Sequence, residues 1–471
     1  MIQENCVLLH NAVIATSEGV RTGSAGIRGE RICGVWYAGK DGMTEYDGRH
    51  ITFDSLPAAF LEKNPGAEIV DIGGKVMMAG GIDAHVHFRE PGMTSKADIS
   101  TESLAALLGG VTSFIDMPNT TPPTVSEARL REKLGYAEGR SYANYGFHIG
   151  ATNGNAGEIK ALSGSEDFGG IKVFMGSSTG NMLVDDDSAL EEIFRIKDKR
   201  ILVHCEDEKI IRENLLKARD KYGDDIPFRA HEEIRSRKAC IRSSVKALEM
   251  AMKYGTRLHL LHISTAEEIE MVRAAKQINK EITAETSPNY LWFCDSDYDS
   301  FGSKIKCNPS IKTAHDREAL REALKNGTID TIGTDHAPHL ESEKQRPYLT
   351  APSGIPSIQH SLPVLLTVAG QEGMALDRVA SVFSEKAAEM FGIKDRGRIK
   401  EGFYADIVIA DPECEFVPEK EDLKYKCGWT PYEGIRLKGR IDTVFVNGIK
   451  SVCGGKVISE IPAGKKLVFK D

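Results

Sequence analysis

Two histidines one residue apart, His85 and His87, lie in Gly80-Gly-Ile-Asp-Ala-His-Val-His-Phe-Arg-Glu-Pro-Gly92. Side chains alternate faces along a strand, so both imidazoles point to one side. Apolar residues precede the pair and Arg89, Glu90, Pro91 and Gly92 follow it, which places it where a buried strand runs out into a loop. Two neutral imidazoles so placed can grip one metal ion and leave positions open for water and substrate. Three later apolar runs end in the same chemistry: Ile201-Leu-Val-His204, Leu258-His-Leu-Leu-His262 and Thr331-Ile-Gly-Thr-Asp335, the last followed by His336 and His339. A lone histidine on an apolar strand is more often a hydrogen-bonded core residue than a ligand. Four strand ends offering ligands in chain order fit instead a parallel barrel, whose active site is assembled from the C-terminal ends of its strands.

Four neutral imidazoles cannot balance two divalent ions, so an anionic bridge is needed. Lys172, in Gly170-Ile-Lys-Val-Phe-Met-Gly176, lies on a strand between the histidine-bearing ones. A lysine there is either exposed or salt-bridged, or an amine whose pKa desolvation has lowered until it captures carbon dioxide as a carbamate. The carbamate is a carboxylate on a long arm, and the charge deficit favours it. Asp335 would then stand against one metal and beside the bridging hydroxide, placed to take its proton and hand it to a leaving nitrogen. The alternative for Asp335 is a helix N-cap or turn residue.

These side chains need a scaffold. The chain has 471 residues, of which 41% are hydrophobic, and a barrel of ~250 residues leaves room for a second module. Eight apolar runs read as barrel strands, at 82–88, 113–118, 144–150, 170–176, 201–206, 258–264, 282–288 and 331–338, with helical patterns between them such as 103–108, 187–194 and 317–324. Strand and helix alternating in this way predict a (β/α)8 TIM barrel in the α/β class. Residues 1–73 and 396–471 read as short strands with turns, and are expected to fold together as one small β-sandwich beside a barrel of residues 74–395. The polar, Gly-bearing stretch around Lys40 to Glu68 reads as an insertion in that module.

A net charge of −9 with both signs interspersed argues against a nucleic-acid or anionic-membrane partner. The opening Met1-Ile-Gln-Glu-Asn-Cys-Val shows no secretory pattern, and no apolar run reaches membrane-spanning length. Nine scattered cysteines without Cys-x-x-Cys spacing fit a reducing, cytoplasmic setting. The loop Ser177-Ser-Thr-Gly-Asn-Met182 follows the Lys172 strand, where a lid over a substrate would lie.

His85-Val-His-Phe-Arg-Glu-Pro-Gly92, Asp116-Met-Pro-Asn-Thr120, Lys172, His204-Cys-Glu-Asp207, His262-Ile-Ser264 and Gly333-Thr-Asp-His-Ala-Pro-His339 together resemble the dihydroorotases of the amidohydrolase superfamily. The resemblance extends to Gly397-Arg-Ile-Lys-Glu-Gly402, Ala405-Asp406 and Gly428-Trp-Thr-Pro-Tyr-Glu-Gly434, and so covers nearly the whole chain. It implies two Zn2+ ions held by His85, His87, His204, His262, Asp335 and a carbamylated Lys172, with Asp335 as the catalytic acid and base. It implies reversible cyclisation of N-carbamoyl-L-aspartate to dihydroorotate in pyrimidine biosynthesis. Arg89, Asn119 and His339 match the positions that hold the substrate's carboxylate, where a planar guanidinium can bind bidentately. Asn308 and the backbone around Ser353 and Gly354 match those that bond the ring's ureide edge. A homo-oligomer, and association with aspartate carbamoyltransferase, are the partner expectations beyond the small-molecule substrate.

Two positions depart from the family pattern: Asn289 where a histidine is common, and Gln359 where a glutamate is common. Hydantoinase-, dihydropyrimidinase- and allantoinase-type enzymes act on rings without the carboxylate and lack the Arg89 and Asn119 equivalents. An inactive structural partner of aspartate carbamoyltransferase would have lost ligands, whereas every ligand position here is filled.

Overall fold

The computed structural model describes residues 5–176 and 182–470. Eight short strands form the central ring: β1 (Gly81–Val86), β2 (Val111–Asp116), β3 (Asn144–Phe147, resuming as Ile149–Gly150), β4 (Ile171–Phe174), β5 (Ile201–His204), β6 (Leu258–Leu260), β7 (Thr283–Thr286) and β8 (Thr331–Ile332). Each pairs in parallel with the next, and the bridge between Val86 and His336 closes the ring. Each strand falls on a run expected from the sequence. The expected runs extend further because their last residues leave the ladder and turn toward the open end. Helices Ile99–Leu108, Asp187–Phe194 and Ala314–Asn326 lie on three of the crossovers. The first starts where the Asp98 side chain accepts from the Thr101 amide at 3.0 Å, and the third where Thr313 and Asp316 form a capping box.

The two ends of the chain build one nine-stranded sheet. Cys6–Thr16 runs antiparallel to Gly19–Arg28, which pairs with Arg31–Tyr37. On its other side Cys6–Thr16 is parallel to Glu68–Asp71 and then to Val76–Ala79. Val76–Ala79 joins Ile407–Phe416 from the far end of the chain, which carries the sheet on to Leu437–Val446 and Ile449–Cys453. The sheet therefore takes in Val76–Ala79, three residues and more past the expected boundary at 73, and the chain crosses into the barrel at Gly80. The insertion expected around 40–68 forms the hairpin Met43–Tyr46/Arg49–Thr52 and the helix Leu56–Lys63. Its Tyr46, Phe53, Leu56 and Phe60 bury Leu8 of the first strand.

Asp406 joins the two units. It accepts from Arg396, from Asn144 of β3 at 3.1 Å and from the Asn447 amide at 2.9 Å. Residues beyond 463 leave the sheet and run along β3, where Tyr145 and Leu467 exchange backbone bonds with residues 465 and 145. Leu467 and Phe469 pack with Ile82, Ile115, Leu202 and Phe391 into one buried cluster across the ring. Among the described residues no helix is long and apolar enough to cross a membrane.

Phe469 is thus a core residue of the barrel although it is distant in sequence from every strand. Phe469→Ala removes a buried aromatic ring, a change worth about 3–5 kcal/mol. The melting temperature should fall by several degrees; an unchanged value would mean that the tail only rests on the barrel.

Candidate active site

The strand ends deliver the expected side chains to one place. His85 is the penultimate residue of β1 and His87 follows its end. The Nε2 atoms of His85 and His87 lie 3.3 and 3.0 Å from one oxygen of Asp335. These three ligand atoms lie within 4.8 Å of one another, close enough to share a metal ion. Across the ring, His204 at the end of β5 turns Nδ1 toward Nε2 of His262, 2.9 Å away. The His85 and His262 rings stand 5.3 Å apart, which joins the two groups. Lys172, in β4, is buried, with its ammonium 4.6 Å from the Phe174 ring centre.

The chain leaves its strands abruptly to do this. Arg89, His262 and Asp335 all have positive φ, at 64°, 38° and 47°. Non-glycine residues rarely adopt this region, and where they do it commonly marks a functional site. Here it turns each side chain inward just past the last ladder bond.

Burial sets the charges. Desolvation holds the His85 and His262 imidazoles well below their ordinary pKa, and lowers His87 and His204 in the same way. All four are neutral, the state that binds metal. Burial alone would raise the Asp335 carboxyl, but it stays below its usual value, with Lys172 among the charges that favour the ionised form. The Lys172 amine is pushed down to about 8 by burial, against the pull of Asp335 and Glu285. Four imidazoles and a carboxylate around a common space suit a zinc-like divalent ion. The Nδ1 atom of His262, buried without a hydrogen-bond partner, belongs to the same cluster.

Several residues that position these ligands were not found from the sequence. Glu285 of β7 accepts from His85 Nδ1 at 2.5 Å and lies 3.2 Å from His259 Nε2. It so fills the space beside Gly333 that a Cβ there would meet its carboxylate at 2.5 Å. Glu206 lies 2.9 Å from His204 Nε2 and pairs with Arg235. Asp83 accepts from the His85 and Thr334 amides, each at 3.1 Å, linking β1 to β8. The available signal was a carboxylate inside an apolar strand, as in Thr283-Ala-Glu-Thr286. His336, an expected ligand-type residue, points away from the site and bonds Glu102 at 2.7 Å.

Arg89 is buried at 1% exposure. It donates Nε–H to the Pro338 carbonyl at 3.1 Å, and its Nη2 lies 3.1 Å from His339 Nε2. A salt bridge to the neighbouring Glu90 is not made, because that carboxylate takes Arg140 at 2.8 Å and the Ile99 amide at 3.0 Å. Burial lowers the Arg89 guanidinium to about 10, leaving it charged at neutral pH. Asn119 accepts from His87 Nδ1 at 2.7 Å. Asn308 keeps a buried side-chain oxygen with no hydrogen-bond partner. Gly354 has its backbone against the His339 ring. Of the expected lid, residues 177–181 lie outside the described residues, and Met182 is buried.

A model of the amidohydrolase family matches residues 76–450. A protein named dihydroorotase from Methanosarcina mazei is 37% identical over 383 residues, covering 78% of this chain and 82% of that protein. A protein named allantoinase from Streptomyces avermitilis is 29% identical over 407 residues, covering 85% and 89%. Among solved structures, the L-hydantoinase (dihydropyrimidinase) from Arthrobacter aurescens superposes with a TM-score of 0.86 at 25% identity, over 98% of this chain and 99% of that one. One fold thus carries several named activities, and the site has to choose among them.

Glu285 offers a direct check on the ligand geometry. A carboxylate that orients a metal-binding histidine is typically worth about 10–100-fold in metal affinity. Glu285→Ala should weaken zinc retention by that amount, measured by equilibrium dialysis, and undiminished retention would refute the role given to Glu285.

Proposed function

The chain belongs to the amidohydrolase family, and within it we propose that it is a dihydroorotase, closing N-carbamoyl-L-aspartate reversibly to dihydroorotate with loss of water in pyrimidine biosynthesis. The burial of Arg89 carries the choice of substrate. Its described polar neighbours are the Pro338 carbonyl and the His339 ring, not a carboxylate. Asp335, Asp116 and Glu343 act on the Arg89 charge through space, and a buried cation with no carboxylate bonded to it is costly. The ring carboxylate of dihydroorotate would supply a bonded partner, whereas a hydantoin, a dihydropyrimidine or allantoin would not. His339 and the amide nitrogen of Asn119 complete the carboxylate pocket in this reading. Asn308, with its unpartnered oxygen, accepts a ring N–H, and the Gly354 backbone bonds the same ureide edge.

His85, His87, His204, His262 and Asp335, with Lys172 as its carbamate, would hold two zinc ions. Metal so held supplies Lewis acidity, which lowers the pKa of water and polarises the amide carbonyl under attack. Lys172 suits carbamate formation because its lowered pKa leaves part of the amine neutral near physiological pH. In the hydrolytic direction Asp335 takes the proton of the attacking water and delivers it to the departing ring nitrogen. In the synthetic direction it returns that proton. The Nε2 atoms of His85 and His87 stand against one oxygen of that carboxylate. Arg89 holds the ring so that the reacting carbonyl faces this carboxylate.

Two substitutions test this reading. Arg89→Lys keeps the charge but loses the planar fork. A lost charge-assisted contact costs on the order of 2–3 kcal/mol, or roughly 30- to 150-fold in kcat/KM. That loss should appear with dihydroorotate and hardly at all with an uncharged dihydropyrimidine, with metal content intact. An equal loss on both substrates would assign Arg89 to the fold instead. Lys172→Ala should remove metal and activity together, with partial return of both when short carboxylic acids are added. A variant that kept its metal and turnover would exclude the carbamate.

A further inference from the structure

Two lysines beside the pocket are buried without a hydrogen-bonded carboxylate. Lys344 is 2% exposed, and its Nζ donates to three backbone carbonyls: Pro352 and Gly354 at 2.9 Å each, and Lys306 at 3.2 Å. The Lys306 Nζ donates to the carbonyls of Tyr348 and Ala351, at 2.7 Å each. The Gly354 amide returns a bond to the Lys306 carbonyl at 2.9 Å. Four carbonyl contacts from two ammonium groups thus gather residues 348–354, a stretch without helix or strand to hold it, and a fifth ties Lys344 to the Lys306 backbone. An ammonium group has three donors on a tetrahedral centre, and no neutral side chain could serve three converging carbonyls at once. Burial lowers Lys344 to about 7 and Lys306 to about 8, and a neutral amine would still keep two of those donors.

The gathered loop bears on His339. The Ser353 carbonyl lies 3.1 Å from His339 Nε2. Gly354 has φ of 146°, and a Cβ there would come within 2.9 Å of the His339 ring and 2.4 Å of the Ala337 carbonyl. The Lys96 ammonium is 3.0 Å from Nδ1 of the same ring. Desolvation, with Arg89, Lys96 and Lys344 around it, keeps His339 neutral. With Nδ1 accepting from Lys96, Nε2–H donates to Ser353. The Arg89 Nη2, 3.1 Å away, then has no lone pair to meet on that nitrogen, so its N–H is left for an acceptor such as a substrate carboxylate. Lys96 therefore sets the tautomer of His339, and the Ser353 carbonyl, held by the loop, receives the Nε2–H and fixes the ring beside Arg89.

We propose that Lys344, seconded by Lys306, is a positioning residue for substrate carboxylate recognition, acting through the Ser353–Gly354 backbone on His339. This inference rests on the reading of the pocket as a dihydroorotase site. The metal-loaded, full-length enzyme with Lys344→Met, which keeps the length of the side chain and removes its donors, tests it. Hydrogen exchange across 348–356 should quicken at least tenfold while the barrel strands keep their protection. KM for dihydroorotate should rise at least tenfold with kcat within threefold of wild type. Added to His339→Ala, the same change should cost less than a further threefold, because its route to the substrate is already cut. Unchanged exchange in the loop, a loss confined to kcat, or full additivity with His339→Ala would each overturn the proposal. If Lys344→Met does not fold, Lys306→Met, which removes two of the five contacts, is read by the same criteria. A wild-type enzyme inert toward dihydroorotate would refute the substrate reading alone, and the exchange result would still decide whether Lys344 holds the loop.

Discussion

Neutral imidazoles in a dry barrel mouth leave a second nitrogen to be placed, and much of the surrounding structure follows from where His85, His87 and His204 place theirs. His85 spends its second nitrogen on Glu285, and His87 on Asn119. His204 lies against Glu206, which Arg235 in turn compensates. A ring fixed at one nitrogen presents the other in a defined direction, which is how partners beyond the ligands tune a metal centre. The supporting carboxylates are themselves buried and need partners of their own. The polar layer therefore continues inward to His259.

The same economy governs the backbone. His85, Lys172 and His204 reach inward from within their strands, whereas at three other site residues the chain has left the ladder. These three, Arg89, His262 and Asp335, carry strain at positive φ. Around them, bonds such as His87 N–H to the His336 carbonyl, at 2.8 Å, tie one strand exit to the next. Local strain is tolerated because the packed ring over-determines it.

The C-terminal segment contributes more than half of a sheet. Trp429 donates to the His339 carbonyl at 2.7 Å. Tyr432 donates to the Asn289 side-chain oxygen at 2.8 Å. The Gln359 amide donates to the Tyr425 hydroxyl at 2.6 Å, and its side chain bonds the backbone of Asp422 and Lys424 at 2.9 and 2.8 Å. The two departures from the family pattern, Asn289 and Gln359, thus both face this segment. An amide both donates and accepts, and each of these side chains does both. In this chain they brace the segment that backs His339, and neither lies among the groups gathered around Asp335.

The barrel and the grouping of the site's side chains at its mouth were legible in the sequence because both follow from local pattern. Apolar runs of strand length alternate with helical stretches, and His85, His87, His204, His262 and Asp335 stand at or just past the ends of such runs. Strand periodicity puts His85 and His87 on one face whatever surrounds them. Glu285, Glu206 and the Lys306–Lys344 pair were not legible, because a charged residue has no structural meaning until its partner is known. Those partners lie at His85, Arg235 and the loop 348–354, from 8 to 200 residues away. The placement of Val76–Ala79 in the terminal sheet and of Phe469 among the barrel's core residues was hidden for the same reason. Periodicity reports which side of an element is buried, and only the packed fold decides what it is buried against.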